Sequence, residues 1–158
     1  LIEKASLVRL ADTSSGNFKI LDTAEEWLNL RLDAQSLYFY RHPRNRILDP
    51  DLNLSICTEK ALRESEKSIV RVLQKNWVLF DDFIRGVYVP LSENLSIVLK
   101  RFGKSNWKYT IPEYSKDELH LLKTTVLQWL FEAGLVSLGQ HNNTTYFRVT
   151  PFGQSLFS

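Results

Sequence analysis

Two stretches of this chain echo one another, and the echo limits the folds open to it. Residues 133–150 read AGLVSLGQHNNTTYFRVT and run into PFGQSLF; residues 5–23 read ASLVRLADTSSGNFKILDT and run into AEEWLNL. Both follow one order: Ala-small-Leu-Val-x-Leu, a polar tip, an aromatic, a basic residue, a branched aliphatic, then a Thr before an apolar-patterned segment. A one-residue shift between Phe147 and Thr150 keeps the register. In the later copy Leu135, Val136 and Leu138 suit one short strand and residues 146–149 its partner, with residues 140–145 as the loop. Thr150-Pro151 then supplies an N-cap and a proline at the first helical position. In the earlier copy Thr23 and Glu26 have the spacing of a capping box ahead of Trp27, Leu30, Leu37 and Tyr38. Two unrelated hairpins would also explain the strands, but the matched order and exit favour a repeat.

The segment before the second hairpin reads as helical. Ser115-Lys116-Asp117-Glu118 is a capping box, and the helix it opens carries Leu119, Leu122, Val126, Trp129, Leu130 and Ala133 on one side before stopping at Gly134. Upstream, Thr58 can cap a helix bearing Leu62, Ile69, Val70 and Leu73. Trp77, Phe80, Phe83 and Ile84 form a second apolar cluster over residues 77–87. Ser92 is expected to start a further helix with Leu95, Val98, Leu99 and Phe102 at helical spacing. The fold class expected is therefore mainly α with small β-hairpins, α+β.

Composition adds exclusions. The chain has 158 residues, 44% hydrophobic, enough for one domain or two small ones. Cys57 is its single cysteine, which rules out an intrachain disulfide and fits a reducing, cytoplasmic location. No apolar run approaches the ~20 residues of a membrane helix, and Lys4 and Arg9 break up the early apolar stretch that a signal peptide would need. Asn53-Leu54-Ser55 and Asn94-Leu95-Ser96 match a glycosylation triplet but have no secretory context. The net charge of +2 and pI near 8.7 are only mildly basic. Because the sequence opens at Leu1 and contains no methionine, it is expected to be a piece of a longer protein.

The pattern resembles a known family. Thr23-Ala24-Glu25-Glu26-Trp27-Leu28, Asn76-Trp77-Val78, Gly134-Leu135-Val136 and Thr150-Pro151-Phe152-Gly153 resemble the winged-helix accessory region found ahead of the motor in bacterial XPB-type helicases. The resemblance implies a winged-helix domain over residues 51–158. It also implies, over residues 1–50, the wing and following helix of a preceding unit cut within its long helix, plus a basic linker. It further implies a DNA-engaging or scaffolding part of a larger DNA-processing protein. No Gly-x-x-x-x-Gly-Lys-Ser/Thr phosphate loop is present, so nucleotide hydrolysis is not expected of this segment. Neither a metal nor a cofactor is expected: His42, His120 and His141 are scattered, and a lone cysteine cannot build a thiolate site. Asp81, Asp82, Asp49 and Asp51 read as caps or solvated residues, so no catalytic residue is assigned.

Winged helices lay their last core helix in the major groove and touch the backbone with the wing. The outer face of helix 116–133 carries His120, Thr124 and Gln128, flanked by Lys116 and Lys123, which suit base edges and phosphates. Leu121, Leu127 and Phe131 also lie off its core stripe, so the same face equally suits docking on a neighbouring domain or a second copy. The wing tip offers His141, Asn142 and Asn143, whose asparagines serve turn chemistry as readily as groove contact, with Arg148 beside it. Two basic clusters are the better phosphate candidates: Arg41, His42, Arg44 and Arg46 in the linker, which also fit a soluble connector, and Lys100, Arg101, Lys104 and Lys108 with Trp107 and Tyr109 interleaved, which also fit a solvated helix end. The partners expected are DNA and neighbouring domains of the parent protein, with a homodimer as the alternative and no membrane.

Overall fold

The computed structural model describes residues 6, 9–14, 16–41, 51–92, 97–110 and 113–158. They form an α+β structure with small antiparallel sheets. The chain begins with a short hairpin, β1 (Ala11–Asp12) and β2 (Lys19–Ile20), followed by helices α1 (Thr23–Leu28) and α2 (Leu32–Arg41). Then come α3 (Glu59–Lys67), β3 (Val78–Leu79), α4 (Phe80–Gly86) and a second hairpin, β4 (Val98–Phe102) and β5 (Asn106–Thr110). Last are the long helix α5 (116–132), strands β6 (Val136–His141) and β7 (Thr144–Val149), and helix α6 (Pro151–Phe157). The linker residues 42–50, which include His42, Arg44, Arg46 and Asp49, lie outside the described residues.

Local chemistry sets the helix starts. The Thr58 hydroxyl accepts the Ala61 N–H at 3.1 Å and opens α3. Inside α3 the buried Ser65 hydroxyl donates to the Ala61 carbonyl (2.8 Å) and Ser68 donates to Ser65 (2.6 Å), satisfying both where no water reaches. From Ser68 to Val72 the backbone tightens into a 3-10 turn, so the single helix expected through Leu73 has two parts. Ser115 and Glu118 form the expected capping box at the start of α5.

Helix α5 has three consecutive parts: α-helical Lys116–Thr124, a wide π-helical segment Thr125–Trp129, and a last α-turn Leu130–Glu132. The wide segment corrects the expected stripe. Leu121 is fully buried, whereas Leu119, expected inside, is 38% exposed. At 100° per residue, positions 118, 121, 122 and 125 of a straight helix would centre roughly 80° away from 126, 129, 130 and 133. One wide turn holds back about a residue's worth of rotation and brings both sets onto one core.

That core lies between α3, α4, α5 and a three-stranded sheet ordered β3-β7-β6. Phe147 of β7 is fully buried and meets Phe83 edge-on at 5.1 Å, with Phe80 at 6.4 Å. β3 joins through Val78↔Phe147 and Leu79↔Tyr146. β6 and β7 pair from Val136↔Val149 to His141↔Thr144 around Asn142-Asn143, both with positive φ (48° and 59°), as a two-residue hairpin turn of the right twist requires. Gly134 (φ 76°) ends α5. The Thr150 hydroxyl donates to the Gly134 carbonyl (2.7 Å) and accepts from Gly153 N–H (3.0 Å), so the expected N-cap also ties α6 to the end of α5.

The first hairpin repeats this junction with a shifted register. The sequence echo places Ser6 opposite Gly134, but the structure puts Arg9 there, with φ 62° and its N–H on the Ser6 carbonyl, as Gly134 N–H is on Phe131. Leu21 N–H bonds Leu10 as Thr150 N–H bonds Leu135. Thr23 does not build the expected capping box. Asp22 occupies the cap position without a side-chain bond, and the Thr23 hydroxyl donates to the Arg9 carbonyl instead. The single helix expected beyond it is broken at residues 29–31, where the Gln35 amide donates to the carbonyls of Leu28 and Leu30. α2 connects the two halves: Trp27, Tyr38 and Phe39 pack with Leu10 and Ala24, while Tyr40 and Leu37 join the main core.

At Gly153 a Cβ would fall 2.2 Å from the Leu135 carbonyl oxygen and 2.8 Å from Val149 Cγ1. Backbone cannot yield there, so Gly153→Ala is expected to destabilise by about 2 kcal/mol or more. Urea unfolding of the two proteins, with equal slopes and a lower midpoint for the variant, checks this.

Candidate nucleic-acid interface

Residues 97–110 read IVLKRFGKSNWKYT, with four cations and no acidic residue. Of the helix expected from Ser92 through Phe102, residues 93–96, Leu95 among them, lie outside the described residues, and residues 98–102 are instead one strand of a hairpin with residues 106–110. Leu95, Val98, Leu99 and Phe102 fit a helical period, but the segment is equally rich in β-branched and aromatic residues. Gly103, at φ 77°, opens a three-residue loop that closes the pair Phe102↔Asn106. Opposed residues of an antiparallel pair share a face. One face therefore carries Val98, Lys100, Phe102, Asn106, Lys108 and Thr110, and the other Leu99, Arg101, Trp107 and Tyr109.

Both faces are bare, since every residue of β4 and β5 is exposed, Trp107 by 59% and Tyr109 by 75%. Lys108 Nζ stands 5.0 Å from the centre of the Phe102 ring. Arg101 donates to the Lys104 carbonyl, which holds its guanidinium against the loop. All four predicted cations, Lys100, Arg101, Lys104 and Lys108, are thus gathered on one projecting element.

The flanks of this hairpin are held firmly. Val87, Val89 and Leu91 are buried, and the Tyr114 hydroxyl accepts the Val89 N–H at 2.6 Å and donates to the Val87 carbonyl at 3.4 Å. Burial pushes the Tyr114 phenol up from its ordinary pKa, against the pull of the Val89 bond. The Ser92 hydroxyl donates to Glu118 Oε1 at 2.7 Å, while Glu118 Oε2 accepts the Ser115 N–H at 2.8 Å. The cap of α5 therefore fastens the segments before and after the hairpin.

The remaining candidates lie in three further places. Lys116, His120 and Lys123 line a shallow groove between α4 and α5, opposite Asp81 and Arg85. Gln128 is exposed on α5, but Thr124 is only 6% exposed and cannot contact DNA in this conformation. His141, Asn142 and Asn143 form the exposed β6–β7 tip, where Asn142 and Asn143 supply the turn and the Thr144 hydroxyl donates to the His141 carbonyl. Arg148 lies over the Trp77 ring, 4.9 Å from its centre, and the same ring covers Gly139. Arg41 is exposed at the end of α2; Arg44 and Arg46 are outside the described residues. Leu121 no longer belongs to an outer apolar face, which keeps only Leu119, Phe131 and the half-buried Leu127. Sequence reasoning passed over Phe102 as a surface ring; the two-residue alternation in an acid-free stretch was the available signal.

Among the described residues no group of three His, Cys, Asp or Glu side chains is placed to hold a metal ion, and no helix is long and apolar enough to cross a membrane. The Cys57 thiol is half-buried, and burial raises its pKa.

Glu118 gives a pH signature. Burial raises its pKa, but the bonds from Ser115 and Ser92 outweigh this and hold the carboxyl below its ordinary value. Its stabilisation is therefore complete above the ordinary carboxylate range and is lost as pH falls through that range to the lower folded pKa. Glu118→Gln should cost about 1–2 kcal/mol at neutral pH, a difference that shrinks as pH falls through the carboxylate range and closes below the lowered folded pKa. Thermal unfolding across pH reads both effects. Comparison of the chain with protein-family models, curated proteins and solved structures found no match, so the reading of this surface rests on its own residues.

Proposed function

We propose that residues 51–158 are a non-catalytic winged-helix module that binds DNA mainly through its phosphate backbone, as part of a larger cytoplasmic DNA-processing or regulatory protein. The order α3-β3-α4-α5-β6-β7, with β3 beside β7 and β6–β7 as the wing, supports the winged-helix reading. The β4–β5 hairpin is then an insertion between the second and third helices. The observation that carries the binding reading is this hairpin: four cations, no acid and exposure of every residue in both strands suit contact with a polyanion. Lys116 and Lys123 on α5 and the β6–β7 tip are secondary contacts. Helix α5 suits base readout poorly, because Thr124 is buried and Asp81 shares the groove.

A second reading, docking of α5 on a neighbouring domain or a second copy, keeps the exposed Phe131 (47%) and Leu119 as its support. It would show as a concentration-dependent dimer lost on Phe131→Glu.

Binding of a labelled duplex tests the first reading. Four phosphate contacts predict an affinity that falls on the order of a hundredfold between about 50 and 200 mM salt. The triple variant Lys100→Glu, Arg101→Glu, Lys104→Glu should abolish the interaction without lowering the unfolding midpoint. No binding at low salt, or binding indifferent to the triple variant, rejects this reading.

A further inference from the structure

Phosphate contact needs only cations, yet the β4–β5 hairpin also holds large rings in water. Exposed aromatics are costly unless something covers them. Trp107 and Tyr109 are two residues apart on β5, so their side chains leave the same face about 7 Å apart. Arg101 stands directly across from Trp107, on that face. Both rings are open to solvent, so each can receive a base that has left its stack. On the opposite face Lys100 and Lys108 are paired across the strands beside Phe102, within reach of a backbone running along the hairpin.

We infer that the Arg101–Trp107–Tyr109 face of the β4–β5 hairpin binds unpaired nucleic-acid strand, with bases stacked on Trp107 and Tyr109 and phosphates held by the surrounding cations. The inference deepens the nucleic-acid reading above and rests on it. Its ligand is a single strand because stacking on flat side chains is indifferent to sequence and requires exposed base faces, which a duplex offers only at its ends. A lipid surface fits less well. Each face of the hairpin mixes cations with rings, whereas a membrane-seated element needs one continuous apolar side.

The test uses the chain with a labelled oligothymidylate of about 20 nucleotides, a duplex of equal length, and vesicles containing phosphatidylserine. The single strand is expected to bind at least about tenfold tighter than the duplex, and Trp107→Ala with Tyr109→Ala to weaken it by at least about tenfold. Duplex binding should be unchanged by that variant, and Trp107→Phe with Tyr109→Phe should keep most of the single-strand affinity. Both positions are exposed, so an unaltered unfolding midpoint will show that the variants fold. Equal binding of strand and duplex, with no effect of removing the rings, overturns the inference and leaves the nucleic-acid reading standing. No binding of either nucleic acid overturns both. Ring-dependent capture by vesicles without single-strand binding overturns the inference in favour of a membrane surface.

Discussion

One wide turn in helix α5 holds the rest of the structure together. It lets Leu121 and Leu122 from the first half face the same core as Val126, Trp129 and Leu130 from the second. Without it one half would turn its apolar residues toward water. The Thr125 hydroxyl, fully buried in this segment, has no hydrogen-bond partner among the described residues, a local cost that the packing of a long two-sided helix outweighs.

The burial of α5 shapes the surface chemistry. A helix that gives Leu121, Thr124, Thr125 and Trp129 to the interior has little face left for a ligand. Charge and aromatic area are concentrated instead on a hairpin that contributes nothing to the core. Tyr114 and Glu118 reconcile the two, because each ties the hairpin's flanking segments to buried structure. Anchored segments on either side of a bare element suit a contact surface carried by a packed scaffold.

Where a side chain had one local use, the sequence was informative. Thr58, Ser115 with Glu118, Thr150-Pro151 and Gly134 mark helix ends by chemistry that acts within four residues, and each sits where it was expected. The two strands of the last hairpin were legible in outline, but the expected six-residue loop 140–145 is a two-residue turn at Asn142-Asn143, with Gln140↔Thr145 and His141↔Thr144 paired in the strands. Residues 98–102 misled because their apolar positions, taken with Leu95 in the sequence, satisfy the helical and strand periods together, and these exposed strand residues meet no core that would decide between them. The π-turn was invisible because it depends on matching two stripes in three dimensions. Residues 5–23 echo the later copy in sequence and their described part forms a hairpin before a helix, but with a shifted register in which Arg9 holds the left-handed backbone that Gly134 provides in the later copy. The basic cluster was legible from its charges and interleaved aromatics; its hairpin shape was not, so Phe102 reads as a helical apolar position rather than a surface ring.

The Gln154 amide donates to the Leu73 carbonyl across 81 residues of sequence, closing a loop in which the β4–β5 hairpin lies. In polymer terms the entropy of closing such a loop grows only logarithmically, by about 0.6 kcal/mol for each doubling of its length. An extra hairpin between α4 and α5 therefore lengthens a chain segment that was already long, at small thermodynamic expense. The element can be extended, shortened or recoded almost independently of the fold that carries it.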